Sequence, residues 1–309
     1  MSSRYIEVAL DGSFGSVLGR DNIGTIVMVT AIICLGILYA IVRYSALKSD
    51  IGPMTYVATR FLFGAVIMGL FQGVTQYLDK GNRDEVPNAH YWRDVALWGG
   101  LVGIFLFGFS IALQYGEKTQ SAAQTSFIVG MYVVVIPFLE LIISGCKHHL
   151  SWISWIAIAI DIPGLILVSG CAESNCFESV EWGTLINMVG MLCVAAHTLT
   201  SAFGVKSVGS GPVLMTSFCV CAVIATILAL IIETDQWKYP CTEITSNWYL
   251  IISSSFAETL CAVCITVALA FLSTSRAAII MSTESLSGAV FGFIILGEVS
   301  WICYIVTLR

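Results

Sequence analysis

The sequence predicts an all-α polytopic membrane protein with about ten transmembrane helices, arranged as two inverted five-helix repeats. Three observations lead to this fold class. Hydrophobic residues make up 57% of the chain and charged residues only 11%, whereas about a quarter of the residues in soluble domains are charged. Apolar runs long enough to cross a bilayer recur along the chain, and parts of these runs occur twice.

The transmembrane spans follow from the lengths of the apolar runs. A helix needs about 20 such residues to cross the hydrocarbon core. Complete runs occur at about 24–44, 54–78, 94–114, 121–145, 150–170, 183–204, 212–232, 248–272 and 277–297. A tenth begins at Ser300 and stops at Arg309, so either the sequence is a fragment or its last helix is incomplete. None of the eight tryptophans falls at a predicted midplane, as expected for a residue that prefers the membrane interface.

The orientation follows from the basic residues. The N-terminal tail and every second loop after it carry eight Lys and Arg residues, whereas the opposite loops carry four. Because basic residues favour the cytosolic side, the tail at 1–23 is predicted to be cytosolic. It lacks the apolar core and cleavage pattern of a signal peptide. The loop at 171–182 holds three glutamates and no basic residue, as expected for a non-cytosolic linker. The sequence does not identify the membrane.

An internal duplication organises the spans. Ser121–Gly145 and Ser273–Gly297 are in register at a spacing of 152 residues, and the first and sixth spans both open with Gly-Thr and are followed by Gly-Pro at a spacing of 159. The first repeat is therefore predicted at 24–170 and the second at 183–309. Each repeat has an odd number of spans, so the second enters the membrane from the opposite side. Transporters of this plan bind substrate near the midplane between the halves.

Composition and motifs exclude several other functions. The net charge is -6, so no basic surface for nucleic acid is indicated. No phosphate-binding loop, HExxH or GxSxG motif is present, and an enzyme is not predicted. Cys261 and Cys264 have CxxC spacing, but a single pair in an apolar run is a weak metal signal. We therefore predict no cofactor and no metal.

Small residues predict close helix packing. Gly99 and Gly103, and Gly288 and Gly292, lie four positions apart, which is the spacing that lets membrane helices approach each other closely. If the ninth span packs through Gly288 and Gly292, Glu284 is expected to face protein or a cavity rather than lipid.

Several segments together resemble a known family. IALQYGEKTQSAAQTSFIVGMYVVVIPFLELII (Ile111–Ile143) and ALAFLSTSRAAIIMSTESLSGAVFGFIILGE (Ala268–Glu298) resemble the third-to-fourth and eighth-to-ninth span motifs of the EamA-like group of the drug/metabolite transporter superfamily. YVATRFLF (Tyr56–Phe63) and AAHTLT around His197 are similar to its second and sixth spans. The resemblance implies ten helices in two inverted repeats and transport of small metabolites.

The chain departs from that family pattern at two positions. Ser285 follows the ninth-span glutamate where the family usually has proline, so the kink at that point is in question. Glu117 replaces a hydrophobic residue after the third-span glycine.

Polar residues inside spans are the candidates for substrate or ion binding. An ionisable group at a helix centre costs about 2.5–3.5 kcal/mol on insertion scales and generally faces the protein interior or water. The candidate binding residues are Glu284, Glu258, Arg60, Asp161, Tyr132 and His197.

Three of the candidates are acidic, and two of them, Glu284 and Asp161, have two interpretations each. Glu284 lies about 7 residues into its span and is either a proton, cation or substrate site, or a neutral carboxyl bonded to a neighbouring helix. Glu258 lies beside a serine-rich helix face, which is suited to lining a water-filled cavity. Asp161 precedes Ile162-Pro163, where proline either opens a binding site or forms a packed kink.

The remaining candidates are similarly open. Arg60 either binds an anionic substrate group or pairs with an acid or snorkels to the interface. Tyr132 occupies the register position of Glu284 in the first repeat, so carboxylate chemistry there belongs to the second repeat alone. His197 titrates near neutral pH in water, but a single histidine on an apolar face is often only hydrogen-bonded. Glu140 and Glu298 lie near span ends, where they can reach interfacial water.

Two functional hypotheses follow. The first is a secondary transporter or facilitator of a small metabolite, working by alternating access between the repeats. The second is a non-transporting membrane scaffold or sensor that keeps the fold. The predicted partners are a small-molecule substrate and the lipid bilayer, and a homodimer stays open. Sugar phosphates, nucleotide sugars, amino acids and hydrophobic cations all remain candidate substrates.

Overall fold

The structure is a computed structural model that describes most of the chain. The described residues are 20–78, 89–143, 152, 156, 159–160, 182–238, 243–272, 280–281 and 283–298. Asp161, the fifth span beyond four of its residues, the predicted tenth span and the linker at 171–181 lie outside them.

The described residues fold mainly into α-helices. In chain order the helices are α1 Arg20–Lys48, α2 Pro53–Leu78, α3 Ala89–Gly116, α4 Ala122–Gly130, α5 Tyr132–Ile143, α6 Trp182–Val208, α7 Ser210–Ile232, α8 Thr234–Lys238, α9 Glu243–Ser246, α10 Trp248–Phe271 and α11 Glu284–Leu296. Gly209 joins α6 to α7 with a φ of 90°, a conformation that favours glycine.

The predicted fold class is confirmed: an all-α membrane protein of two repeats with about ten helices. Within the described ranges, α1, α2, α3, α6, α7 and α10 contain segments long and apolar enough to cross a membrane. Two shorter apolar helices, Ala122–Ile136 and Glu284–Leu296, fall in the predicted fourth and ninth spans.

The fourth and ninth spans are irregular at the same register position. The fourth is interrupted at Met131, with φ -62° and ψ -9°, and the ninth at Thr283, with φ -80° and ψ 0°. Hydrogen bonds to the third preceding residue tighten the chain at both points, at 2.9 Å from Val134 N to Met131 O and 3.1 Å from Thr283 N to Ile280 O. Thr283 lies 152 residues after Met131, so the irregularity recurs at the spacing of the repeat.

In the described part of the ninth span, Glu284 is the first residue of α11 and directly follows the turn at Thr283. The interruption precedes Ser285, so it forms without the proline that the family pattern usually has next.

The helix packing has an approximate two-fold symmetry. The pairs α3 with α6 and α1 with α10 are the most extensive, and they are equivalent because α1 corresponds to α6 and α3 to α10 in the two repeats. The pairing of α7 with α3 likewise matches that of α2 with α10, and α2 packs against its own counterpart α7. The two repeats are therefore held together by extensive contacts between first-repeat and second-repeat helices.

Small residues hold these helices together, as their spacing predicts. A methyl group at Gly99 would overlap Thr216 of α7, one at Gly103 would overlap Val220, and one at Gly288 would overlap Ser126 of α4. Association within lipid depends on such close van der Waals contact, because lipid tails leave little hydrophobic driving force between helices.

Candidate functional site

Glu284 begins α11, which packs against α1 and α4. Its side chain is 2% exposed, and its Oε1 accepts a hydrogen bond of 2.6 Å from the hydroxyl of Tyr39 on α1. Tyr132, the first residue of α5, is buried beside the same carboxyl. The other carboxyl oxygen, Oε2, is buried without a hydrogen bond among the described residues. Glu284 thus faces the protein interior, as expected from packing through Gly288.

Arg60 lies in the interior between α2 and α10. Its side chain is 1% exposed, and a guanidinium nitrogen, Nη2, lies 3.8 Å from Oε2 of Glu258. Its Nε, Nη1 and Nη2 are buried and make no hydrogen bond to the described residues. The guanidinium carbon lies 5.0 Å from the ring centre of Phe61 and 5.8 Å from that of Tyr56, distances typical of cation–π contacts.

A hydrogen bond fixes the relative positions of α2 and α10 at this point. Ser255, one turn before Glu258, donates from its hydroxyl to the backbone oxygen of Arg60 at 2.8 Å. The serine-rich face of α10 is buried against protein here, since Ser254 and Ser255 are almost fully inaccessible.

The C-terminal half of α3 adds a polar face. Ser110, Gln114 and Glu117 follow one another at spacings of four and three, which places them on one side of the helix and its continuation. All three are buried. Ser110 Oγ, Gln114 Oε1 and both carboxyl oxygens of Glu117 have no hydrogen-bond partner among the described residues.

These groups form one assembly, which we call the central cluster: Tyr39, Tyr56, Arg60, Glu117, Tyr132, Glu258 and Glu284. Glu117 lies within electrostatic range of Tyr39, Tyr56 and Arg60. Cys261 lies close to both Glu258 and Glu284 and so connects the two ends of the cluster. Helices of both repeats contribute to it, because α1, α2 and α5 belong to the first repeat and α10 and α11 to the second.

An ion pair lies next to Glu117 at one end of the cluster. Arg43 of α1 donates from Nε to Oε1 of Glu298 at 2.9 Å and also donates from Nη1 to the backbone oxygen of Glu117. Glu298 Oε2 accepts from the backbone N–H of Ala122 at 2.9 Å, which satisfies a free donor at the start of α4. These contacts join α1, the residues after α11, the connection that holds Glu117 and the start of α4. The residues after α11 belong to the second repeat, and the other three segments belong to the first.

Glu117 lies in the connection between α3 and α4, outside the spans. Burial raises the pKa of its carboxyl well above the ordinary value, and nearby Arg43 lowers it only in part. A carboxyl without hydrogen bonds in such a place is most stable in its neutral form.

Two predicted site residues are not in the central cluster as described. His197 lies half-buried on α6, and its imidazole makes no hydrogen bond or ion pair with the described residues. Asp161 lies outside the described residues. The structure brings together the other four candidates: Glu284 with Tyr132, and Arg60 with Glu258.

Sequence reasoning did not assign Tyr39, Tyr56, Gln114 or Arg43 to a site. The i, i+4, i+7 spacing of Ser110, Gln114 and Glu117 was a usable signal for a polar helix face. Glu298, expected to reach interfacial water, is instead engaged by Arg43 and Ala122. Among the described residues, no group of three or more His, Cys, Asp or Glu could hold a metal ion.

Two packed repeats of membrane helices with buried polar groups between them are a plan found in many membrane transporters. The model of the EamA-like transporter family matches residues 22–170 and 181–302. The chain belongs to the EamA-like transporter family, whose members are drug/metabolite transporters and not enzymes. It is an integral multi-pass membrane protein. No curated protein sequence matches the chain.

Proposed function

We propose that this chain is a secondary transporter or facilitator that moves a small polar metabolite by alternating access between its two repeats. The observation that carries the proposal is the central cluster, in which buried polar groups of Arg60, Glu117 and Glu284 have no hydrogen-bond partner among the described residues. Leaving a buried polar group unsatisfied costs about 1–3 kcal/mol, and more for a charged group. A transported solute and water would supply the missing partners.

The position of the cluster fits this mechanism. Its residues come from both repeats, so a relative movement of the repeats would change which side of the membrane reaches them. The Arg43–Glu298 pair links the repeats at one end. In the register of the first and sixth spans, the counterpart of Arg43 is Ala202, which lies 159 positions further along the chain. The second repeat therefore has no basic residue at this register position.

Glu284 is the residue that we propose to couple transport to a proton or another cation. It is buried, lies at a helix interruption, and has one oxygen bonded by Tyr39 and the other free of hydrogen bonds among the described residues. Intramembrane carboxyls in such surroundings commonly relay protons in transporters. We also propose that the N-terminus is cytosolic, on the basis of the basic residues in the loops.

A flux measurement tests the proposal. The full-length protein is reconstituted into liposomes, and uptake of a broad panel of metabolites is measured by mass spectrometry with and without a pH gradient. Saturable uptake of at least one compound is expected, at a level well above protein-free liposomes. A folded protein that moves no compound under any ion gradient would instead favour a scaffold or sensor.

A further inference from the structure

The buried guanidinium of Arg60 makes few polar contacts for a charge in this position. Its three nitrogens make no hydrogen bond to the described residues, although a guanidinium carries five N–H donors. The aromatic rings of Phe61 and Tyr56 lie near it, but they cannot accept the fork of in-plane hydrogen bonds that arginine offers. The donors of Arg60 therefore remain available to another acceptor.

Glu258 is the only acidic group that forms an ion pair with Arg60 within the described part of the chain, and the pair is loose. The closest approach, 3.8 Å between Nη2 and Oε2, is well beyond the 2.7–2.9 Å typical of charge-assisted hydrogen bonds. Glu258 Oε2 is itself buried and has no hydrogen-bond partner in the part of the chain that the structure describes. Glu258 thus compensates the charge of Arg60 without accepting a hydrogen bond from the guanidinium.

We propose that Arg60 is the anion-binding residue of the transport site, that the substrate carries a carboxylate, and that Glu258 is the internal counter-ion which this carboxylate replaces. The inference rests on the proposed transport function. A substrate carboxylate would accept two parallel hydrogen bonds from the guanidinium, which is the geometry that arginine supplies best. Glu258 then holds Arg60 in place while the site is empty.

The charge balance of the cluster favours a monocarboxylate over a phosphate monoester. Arg60 lies among the acidic side chains of Glu258 and Glu117. The other basic residue near the described cluster, Arg43, is already paired with Glu298. One guanidinium can balance one negative charge, whereas a phosphate monoester carries about 1.5–2 at neutral pH.

The proposed site belongs to one repeat. In the register set by Gly52-Pro53 and Gly211-Pro212, the counterpart of Arg60 is Cys219, which lies 159 positions further along the chain. The second repeat thus carries no basic residue at the equivalent position, and the substrate carboxylate would stay attached to α2 as the repeats move.

Binding to the purified full-length protein tests the inference. The probes are acetate and benzoate, their neutral analogues acetamide and benzamide, and inorganic phosphate, each at constant ionic strength in a thermal-shift titration. The key variant is Glu258→Gln, which keeps the shape of the side chain but removes the competing carboxylate. We expect at least one carboxylate to stabilise Glu258→Gln at about tenfold lower concentration than wild type, and the amides to have no effect.

Arginine variants complete the test. Arg60→Gln should lose the stabilisation by carboxylates. Arg60→Lys keeps the positive charge and replaces Arg60→Gln in the test if that variant does not fold. It should weaken carboxylate binding at least about tenfold. A purely structural ion pair predicts the opposite for Glu258→Gln: a lower melting temperature that no carboxylate restores. Three results would overturn the proposal. They are this loss of stability in Glu258→Gln, a response of the Arg60 variants to carboxylates equal to that of wild type, and a larger response to phosphate than to the carboxylates.

The flux assay separates this inference from the proposed function. If wild type transports a neutral or cationic compound and Arg60→Gln transports it equally well, the transporter proposal stands and the anion site is wrong. If carboxylates bind through Arg60 but nothing is transported, the anion site stands and the transport proposal fails.

Discussion

The hydroxyl of Tyr39 donates a 2.6 Å hydrogen bond to Glu284 and so connects α1 of the first repeat to α11 of the second. The two residues are 245 positions apart in the chain. Both are buried, and the bond occupies one oxygen of the carboxyl while Tyr132 lies beside the group. A change in the protonation of Glu284 would therefore alter the contact between α1 and α11, which belong to different repeats.

Replacing Glu284 with glutamine should separate binding from coupling. Glutamine keeps an acceptor for Tyr39 but cannot release a proton, so we expect Glu284→Gln to lose the stimulation of uptake by a pH gradient while exchange of substrate at equal pH continues. The measurement is proteoliposome uptake with and without the gradient, on the compound that the metabolite panel identifies.

Tyr39→Phe is the matched control for that experiment. It removes the hydrogen bond but leaves a titratable carboxyl, so uptake should still respond to the gradient. An unchanged response in a well-folded Glu284→Gln protein would exclude Glu284 as the proton site, and loss of the response in Tyr39→Phe alone would assign the coupling elsewhere.

Glu117 should make the stability of the protein depend on pH. Burial raises the pKa of its carboxyl in the folded state above the unfolded value of about 4.3. Its contribution to stability is therefore full below the unfolded pKa and is lost as the pH rises through the folded pKa. We expect the melting temperature of wild type to fall more steeply with increasing pH than that of Glu117→Gln.

Melting curves from about pH 5 to about pH 9 in a fixed detergent measure this effect. Lys118→Gln, a change at the exposed neighbouring residue, controls for altered charge in the same connection and should follow wild type. Parallel curves for wild type and Glu117→Gln would contradict a buried carboxyl that is neutral in the folded state.

Gly36 should be intolerant of even one added methyl group. A Cβ at this position would lie 2.7 Å from the carbonyl carbon and 2.8 Å from the carbonyl oxygen of Ser287 in α11. Backbone atoms cannot move aside as a flexible side chain can, so Gly36→Ala should force α1 and α11 apart. Overpacking of this kind costs about 1–3 kcal/mol, which a lower unfolding midpoint in denaturant titration would report.

Gly100 offers a control within another helix. A Cβ there meets nothing within 4 Å, so Gly100→Ala should leave the midpoint unchanged or slightly higher, because alanine favours helix over glycine. Equal destabilisation by both substitutions would indicate that glycine itself, rather than contact between the repeats, is what the helices require.

Much of the fold could be predicted because membrane spans are encoded locally. The apolar runs place α1, α2, α3, α6, α7 and α10 to within a few residues of their ends, and the small-residue spacing in the third and ninth spans predicts close contacts that the structure contains. The burial of Glu284 was predictable for the same reason: an ionisable group inside a span avoids lipid.

The arrangement of the site could not be predicted in this way. Tyr39 resembles any aromatic residue in an apolar run until its partner from the other repeat is known. Glu117 lies in a connection, where a charge is unremarkable, and only the packing of the surrounding helices buries it. Arg43 lies near the end of α1, where a basic residue is ordinary in a membrane protein, and only the fold shows that it pairs with Glu298.

The orientation of the chain can be tested directly. The excess of basic residues on one side predicts a cytosolic N-terminus. An epitope tag at the N-terminus should be accessible to antibody only after the membrane is permeabilised, whereas a tag inserted after Lys118 should be accessible from outside in intact cells or in sealed vesicles of the same orientation. The reverse pattern would invert the proposed topology without altering the repeats.

The Arg43–Glu298 pair should hold one end of the transporter closed. Arg43 connects α1 to Glu298, two residues beyond the end of α11, and to the backbone at Glu117, and Glu298 in turn binds the N-terminus of α4. Both side chains are largely shielded from solvent, at 13% and 21% exposure, so their interaction is less screened than that of a surface pair. Arg43→Gln should therefore increase amide hydrogen exchange in residues 117–125.

A double-mutant cycle distinguishes a direct interaction from separate effects of two altered residues. Glu298→Gln keeps an acceptor for Ala122 but removes the charge, so it should resemble Arg43→Gln, and the double variant should cost little more than either single change. The expected coupling is about 1 kcal/mol from melting or denaturant data. Additive losses would show that the pair does not act as a unit. Restored protection in the charge-exchanged protein, Arg43→Glu with Glu298→Arg, would establish that the ion pair itself keeps the repeats together at this end.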